Sequence, residues 1–224
     1  MAGCIYCVDN DILKKLVTFD LFDSTLEIFG IATPDIRILK TAQYVFLRQY
    51  KRFQNNESPR KSDTVIKWEE LLELTKTLGS IVPADIDQNL LNQLSKFEDI
   101  DPGEAELVCL AIAIIQKDES ATIFTGDKRF IRALDKVDLT IIHEALKGRI
   151  WCLEQVILKN IDHLNFETVR DQIVPVRECD KAIKVVFGSG NQAEKEAVIT
   201  TLKNYINELN TPLIFPYSSS SSNP

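Results

Sequence analysis

The fold is decided by the stretch IYCVDNDIL, residues 5–13. Its first four residues are apolar and suit a short buried strand, which ends at Asp9. Apolar residues then recur at helical spacing from Ile12 onward. The stretch therefore predicts a strand that runs directly into a helix, with an acidic side chain at the junction.

The same alternation of strands and helices continues along the chain. ATIFT at 121–125 is predicted to be a second strand, and LTIIHE at 139–144 a third. The almost wholly apolar segment 104–116 predicts a helix buried at the centre. This alternation predicts an α/β fold of three layers, α/β/α, with a central parallel sheet. Further predicted elements are a short strand at 31–34, a helix from Ile36 to Arg52 and a strand at 182–187.

The chain is predicted to divide at about residue 150. Residues 1–150 are expected to form the α/β domain, and residues 151–217 a C-terminal α/β extension packed on it. Residues 218–224, SSSSSNP, are expected to be a disordered tail because they offer no apolar side chain to a core.

Composition indicates a soluble protein of 224 residues, 45% of them hydrophobic. No apolar run is long enough to span a bilayer, and the amino terminus lacks the basic start of a signal peptide. Five cysteines, an odd number, fit a reducing compartment, so a cytoplasmic location is expected. Only two histidines are present, which gives a zinc site little support. The net charge of −7 argues against electrostatic coating of nucleic acid but does not exclude a nuclease.

Three acids stand at the ends of strands or at the start of a helix: Asp9, Glu104 and Asp127. Parallel sheets bind ligands at the carboxyl ends of their strands. Carboxylates gathered there repel one another unless a divalent cation neutralises them, and Mg²⁺ prefers oxygen ligands. The acids therefore predict a metal site able to cleave phosphodiester bonds. Local roles stay open beside this one, with Asp9 and Asp127 as helix N-caps and Glu104 as a first-turn acid.

Three motifs, VDNDIL, GEAELVCLAIA and IFTGDKRF, together resemble the PIN domain family over roughly residues 3–147. The resemblance implies a ribonuclease-like fold in which Asp9, Glu104 and Asp127 bind Mg²⁺ or Mn²⁺, with Glu106 beside them. It further implies cleavage of RNA by a metal-activated water, without a covalent intermediate. A toxin or defence effector held by an antitoxin is one hypothesis that follows, and a homodimer is another.

Supporting roles are expected for three neighbouring residues. Asn10 and Thr125 are predicted to orient water or phosphate, and Asp11 takes the place usually held by Ser, Thr or Asn in the family. The family usually carries a further acid on the helix after the second strand. That position falls near Lys40 or Thr41 here, so this chain departs from the pattern.

A basic segment at residues 44–61 is the predicted RNA track. Tyr44, Tyr50 and Phe53 are interleaved with its cations, as base stacking requires. The alternative is a solvated helix face whose aromatic side chains turn to the core. The predicted RNA-binding residues are Arg48, Lys51, Arg52, Arg60 and Lys61.

Two other functions compete with an endoribonuclease. The missing acid and the long C-terminal segment favour a catalytically inactive PIN-like domain that serves as a protein-interaction module. The sequence Asp9-Asn10-Asp11 also matches the DxD pattern of a phosphohydrolase with a nucleophilic aspartate, which we rank last.

Overall fold

A central sheet of five parallel strands organises the protein. The computed structural model describes residues 4–56, 58–82 and 86–217, so the predicted tail at 218–224 lies outside the described residues. The strand order is β3-β2-β1-β4-β5, and every pairing is parallel. The strands are β1 (Cys4–Val8), β2 (Ile36–Ile38), β3 (Gly79–Ser80), β4 (Ser120–Thr125) and β5 (Ile150–Cys152).

Thirteen helices in the described part of the chain flank this sheet. The predicted α/β fold with a central parallel sheet is confirmed, and the flanking helices are consistent with three layers. The helices are α1 (Asn10–Thr18), α2 (Phe22–Phe29), α3 (Ala42–Gln54), α4 (Lys61–Thr64), α5 (Trp68–Thr77), α6 (Gln88–Leu94), α7 (Pro102–Ile115), α8 (Lys128–Asp135), α9 (Thr140–Leu146), α10 (Leu153–Leu164), α11 (Phe166–Ile173), α12 (Lys181–Val186) and α13 (Lys195–Asn207).

One continuous hydrophobic cluster holds the layers together. Helix α7 packs against both β1 and β4, and its buried residues lie all around its first three turns, as its apolar sequence predicts. The segment after residue 150 joins the same cluster. The backbone of Ile150 in β5 donates to the carbonyl of Leu213 (3.1 Å) and accepts from Phe215 (2.8 Å). The carboxy-terminal segment therefore runs beside the last strand of the sheet.

Three predicted strands are wrong, and one predicted helix begins later than expected. Residues 139–144 begin helix α9 rather than a strand, because its apolar residues are buried at helical spacing, as at Ile142 and Leu146. Residues 31–34 do not form a strand. Thr33–Asp35 is a 3-10 turn, and the strand β2 follows it where a helix was predicted to start. Residues 182–187 lie mostly in helix α12.

The correction at α12 has a local cause. The side chain of Asp180 accepts the backbone N–H of Ile183 (2.8 Å) and so caps the helix. A capped start outweighs the β propensity of the valines that follow. In the described residues, no helix combines the length and the apolar character that a membrane span requires.

Buried Asn160 on α10 links that helix to α2. Its amide donates to Thr25 Oγ1 (3.0 Å) and its carbonyl oxygen accepts from Ser24. We expect Asn160→Ala to lower the unfolding free energy by about 2 kcal/mol, because it removes a hydrogen-bond partner from the buried hydroxyl of Thr25 and from the half-buried hydroxyl of Ser24. Urea denaturation measures the change. Asn204→Ala, at an exposed position of α13, is the matched control and should change stability by less than about 0.5 kcal/mol. Equal effects of the two changes would contradict the assignment.

Candidate metal centre

The pairing of β1 with β4 brings Asp9 to the carboxyl end of β4. Val8 lies opposite Phe124 in the parallel register, and the backbone N–H of Asp9 donates to the carbonyl of Phe124 (2.9 Å). The hydroxyl of Thr125 then donates to Asp9 Oδ2 (3.1 Å). Thr125 is fully buried and Asp9 is only 9% exposed. The predicted supporting residue Thr125 therefore orients the Asp9 carboxylate directly.

Asp127 lies two residues further on and begins helix α8 as its N-cap. Its Oδ1 accepts the backbone N–H groups of Arg129 (2.7 Å) and Phe130 (3.2 Å). Its own N–H donates to Thr125 Oγ1 (3.1 Å). Asp127 therefore has the N-cap role that the sequence left open. This role directs one of its carboxylate oxygens toward the helix.

Glu104 is buried in the first turn of α7, where it forms a capping box with Asp101. Glu104 Oε2 accepts the backbone N–H of Asp101 (2.7 Å), and Asp101 Oδ1 accepts the N–H of Glu104 (2.8 Å). Burial raises the pKa of Glu104 to about 8, against the opposing effect of that hydrogen bond. The charges of Asp101, Asp127 and Asp9 add to the increase.

The pKa of Asp9 is raised as well, to about 6. Burial is the main cause and the charge of Asp11 is the second. Both carboxylates are therefore buried near other negative charges, which disfavours their ionised forms. A cation bound beside them would reverse that preference.

The oxygen donors suit Mg²⁺ or Mn²⁺, but the side chains do not stand as a formed ligand set. Among the described residues, no three His, Cys, Asp or Glu side chains are placed so that they could hold a metal ion together. The caps explain part of this placement, because the carboxylates of Glu104 and Asp127 face backbone N–H groups. Each cap uses one carboxylate oxygen, Oε2 of Glu104 and Oδ1 of Asp127.

Two predicted residues near this edge have other surroundings. Glu106 follows Glu104 by two residues, about 200° around the helix. Its charge acts instead on Cys109. Burial is the main cause that raises the pKa of Cys109 to about 12, and the charges of Asp87 and Glu106 add to the increase. Asn10 opens α1, and its Oδ1 is buried with no hydrogen-bond partner in the described structure.

An ion-pair network around Asp11 was missed from the sequence. The Asp11 carboxylate contacts the ammonium of Lys15, which lies 2.7 Å from the carboxylate of Asp180. Although burial lowers the pKa of Lys15, the charges of Asp11 and Asp180 raise it above its usual value. The four-residue spacing of Asp11 and Lys15 is typical of an ion pair on one face of a helix, so the sequence did indicate this contact. Nothing local pointed to Asp180, which is 165 residues away from Lys15 in the chain.

A second missed carboxylate belongs to Glu154, two residues beyond β5. Glu154 is 2% exposed and forms an ion pair with Lys128, the residue after Asp127. The Lys128 ammonium also lies over the ring of Tyr205, 4.2 Å from its centroid. The C-terminal helices α10 and α13 therefore contact the carboxyl edge of the sheet through one lysine.

The predicted RNA track separates into two parts. On α3, Tyr44 is 72% exposed and lines an open groove. The predicted stacking role is wrong for Tyr50 and Phe53, because both rings pack against Trp68. This is the core-facing alternative that the sequence left open. The groove is lined by Tyr44, Leu47, Arg48, Lys51, Arg52, Asn55 and Asn56.

The other two predicted cations lie outside that groove lining. Arg60 is the N-cap residue of α4, and Lys61 is the first residue of that helix. The pKa of Glu178 is lowered, first by a hydrogen bond from Lys184 and to a smaller degree by the charge of Lys61. Lys61 therefore lies toward the C-terminal segment.

Comparison with protein-family models, with curated proteins and with solved structures finds no match to this chain. The functional inference consequently rests on the chemistry of the acidic edge, on the α3 groove and on the motif resemblance.

The raised pKa of Glu104 predicts a pH-dependent effect of Glu104→Gln. The folded-state pKa exceeds that of the unfolded chain, so the parent loses stability as pH rises from about 4.5 to about 8. Glutamine keeps the acceptor for the capping box and carries no charge. We expect the variant to match the parent near pH 5 and to exceed it by roughly 2 kcal/mol near pH 8.5.

Urea denaturation in the presence of a chelator checks this pH dependence. Glu106→Gln on the same helix is the matched control and should not reproduce the trend. A stability difference for Glu104→Gln that stays constant across the pH range would contradict the proposed electrostatic environment.

Proposed function

We propose that this chain is a metal-dependent endoribonuclease of the PIN type, which hydrolyses RNA phosphodiester bonds with Mg²⁺ or Mn²⁺. The observation that carries the proposal is that Thr125 joins Asp9 and Asp127 at the carboxyl edge of the sheet, because its hydroxyl donates to Asp9 and accepts the backbone N–H of Asp127. Burial is the main cause of the raised pKa of Glu104, and the charges of both acids add to it. Such an arrangement favours a bound divalent cation.

Each residue has a role in this proposal. Asp9, Glu104 and Asp127 would hold the metal, which when bound supplies a more acidic water and stabilises charge on the phosphate. Thr125 fixes the orientation of Asp9 through its hydroxyl. Asn10 offers a buried carbonyl oxygen without a partner, which suits a role in positioning water.

RNA would bind across α3 in this proposal. The groove lining combines three cations with the exposed ring of Tyr44 and includes no carboxylate. A local basic surface of this kind suits a single strand even though the net charge is −7. Arg60 and Lys61 remain predicted contacts for a longer RNA.

The motif resemblance further supports a cytoplasmic toxin or defence effector, controlled by an antitoxin, with a homodimer as an open hypothesis.

Metal binding is the first test of this function. Mn²⁺ should raise the melting temperature of the parent, and Asp9→Asn combined with Asp127→Asn should abolish that increase. Asparagine preserves the N-cap at residue 127, so α8 should stay intact. Differential scanning fluorimetry with increasing Mn²⁺ measures the shift. Asp138→Asn, an exposed change, is the control and should respond like the parent. An unchanged response of the double variant would place the metal elsewhere.

RNA cleavage is the second test. Labelled single-stranded and hairpin RNAs should be cut with Mn²⁺ or Mg²⁺, and chelation should stop the reaction. Asp127→Asn should reduce the rate by about 100-fold or more, because it removes a charged metal ligand. Circular dichroism checks that the variant remains folded.

Arg48→Ala with Arg52→Ala should weaken RNA binding and leave the Mn²⁺ response intact. Loss of two phosphate contacts should lower the slope of log affinity against log salt by about 1.4. Filter binding over a salt series measures this slope. Lys117→Ala with Lys136→Ala removes two exposed charges elsewhere and is the matched control. An identical slope for both double variants would remove α3 from the RNA surface.

A protein-interaction module is the second candidate. The observation that favours it is that Glu104 and Asp127 already serve as helix caps, which gives both carboxylates a structural role. The two candidates differ in one measurable property. Metal-loaded protein that leaves a broad panel of RNAs uncut, and binds a partner protein tightly, would support the interaction module instead.

A further inference from the structure

A cavity beside the last strand of the sheet has no part in the proposed function. It lies between the loop that joins α9 to β5, helix α13 and residues 210–217, and its volume is about 1010 Å³. That volume is at the upper end of the range for small-molecule sites, which is roughly 300–1,000 Å³. This C-terminal cavity shares no lining residue with the α3 groove.

Hydrogen bonds to the sheet hold one wall of the C-terminal cavity in place. The backbone N–H of Gly148 donates to the carbonyl of Pro212 (2.9 Å), and that of Phe215 donates to the carbonyl of Ile150 (2.8 Å). The side chain of buried Gln155 donates to the carbonyl of Phe215 (2.7 Å). A ligand would therefore meet a preformed surface, which lowers the entropic cost of binding.

The lining of this cavity is positively charged. Lys147 follows α9 and Lys203 lies on α13, and no acidic residue belongs to the lining in the described part of the chain. This composition contrasts with the whole chain, in which 33 acidic residues outnumber 26 basic ones. Asn207 and Asn210 add amide groups beside the two lysines. The cavity therefore suits an anion that also accepts and donates hydrogen bonds.

Two carboxylates contact residues of the wall without lining the cavity. Asp135 accepts the hydroxyl hydrogen bond of buried Thr211, and Asp162 accepts that of Tyr217 (3.2 Å). Both carboxylates therefore have partners in the protein. The lysines are the charges that a ligand in the cavity would contact directly.

The ring of Phe215 gives the cavity an aromatic surface. It is 40% exposed, and it stacks on Trp151 with 4.5 Å between the ring centroids and 20° between the planes. Trp151 in turn meets the ring of Phe29 edge-on at 4.8 Å. The Phe215 ring is thus fixed by its neighbours and still offers surface to a planar group. Stacking of a nucleobase on an aromatic side chain is typically worth about 1–3 kcal/mol.

We propose that the C-terminal cavity binds a free nucleoside monophosphate, whose phosphate contacts Lys147 and Lys203 and whose base stacks on Phe215. Lysine ammonium groups bind phosphate as point charges, and the aromatic ring selects a planar base. Asn207 and Asn210 offer amide groups to the sugar or to the base edge. This inference goes beyond the proposed ribonuclease function, since it uses neither the acidic edge nor the predicted RNA-binding residues.

Isothermal titration with each of the four ribonucleoside monophosphates tests this site. All titrations contain EDTA, so that the result does not depend on metal binding. At least one monophosphate should bind with one molecule per chain. The matching nucleoside, which lacks the phosphate, and ribose phosphate, which lacks the base, should each bind at least about tenfold more weakly.

Removal of the two cations should affect only ligands that carry phosphate. Lys147→Ala combined with Lys203→Met should weaken binding of the monophosphate by about tenfold or more and leave binding of the nucleoside unchanged. Methionine keeps an apolar stem at position 203. Lys195→Ala, at an exposed position of α13, is the matched control and should bind the monophosphate like the parent.

Replacement of the aromatic ring should have the complementary effect. Phe215→Leu should weaken binding of the monophosphate and of the nucleoside by about fivefold or more, and leave binding of ribose phosphate unchanged. Leucine keeps an apolar contact with Trp151 but cannot stack on a base. A merely structural role of these residues would weaken all three ligands alike.

Four results would overturn the inference. They are a parent that binds none of the monophosphates with a Kd below about 1 mM, equal affinities for monophosphate and nucleoside, and unchanged monophosphate affinity in the double lysine variant. The fourth is single-stranded RNA that binds at least about tenfold more tightly than any monophosphate and is lost in the same variants, which would assign the cavity to RNA. If Phe215→Leu does not fold, the double lysine variant decides.

Discussion

The parallel pairing of β1 with β4 is the constraint on which the rest of this structure depends. It joins residues more than a hundred positions apart and aligns Val8 with Phe124, so that Asp9 emerges beside Thr125. Helix α7 packs across both strands and brings Glu104 to the same edge. Because the pairing is central, the edge it creates is largely buried, so a charged group placed there loses favourable contact with water unless it is paired or hydrogen-bonded.

Only some of the carboxylates at this edge form an ion pair with a lysine. Lys15 and Lys128 each contact a carboxylate supplied by the chain after residue 150, Asp180 in one case and Glu154 in the other. The same ion pairs therefore serve packing and electrostatics, since they attach the C-terminal helices to the edge of the sheet. Buried Asp9 and Glu104 lie instead among other negative charges, which add to the effect of burial in raising the pKa of both carboxyl groups.

In helix α3, packing decides which aromatic side chains turn to the core and which stay exposed. Its aromatic and basic residues are mixed in sequence, and one helical face takes Tyr50 and Phe53 into contact with Trp68. The opposite face keeps Tyr44 exposed among cations. The exposed cations of α3 are thereby confined to one face of the helix, beside the ring of Tyr44.

The sequence by itself determined the parallel α/β fold and the junction acids Asp9 and Asp127, because strand ends and helix starts leave local signals. It also identified Glu104, whose first-turn position is set by the adjacent Pro102 and Asp101. The short apolar runs at 139–144 and 182–187 wrongly predicted strands. Burial at helical spacing outweighed β propensity in the first, and a capping aspartate did so in the second. Only the tertiary structure placed Asp180 against Lys15, since their contact arises from helix packing across the molecule and carries no local pattern.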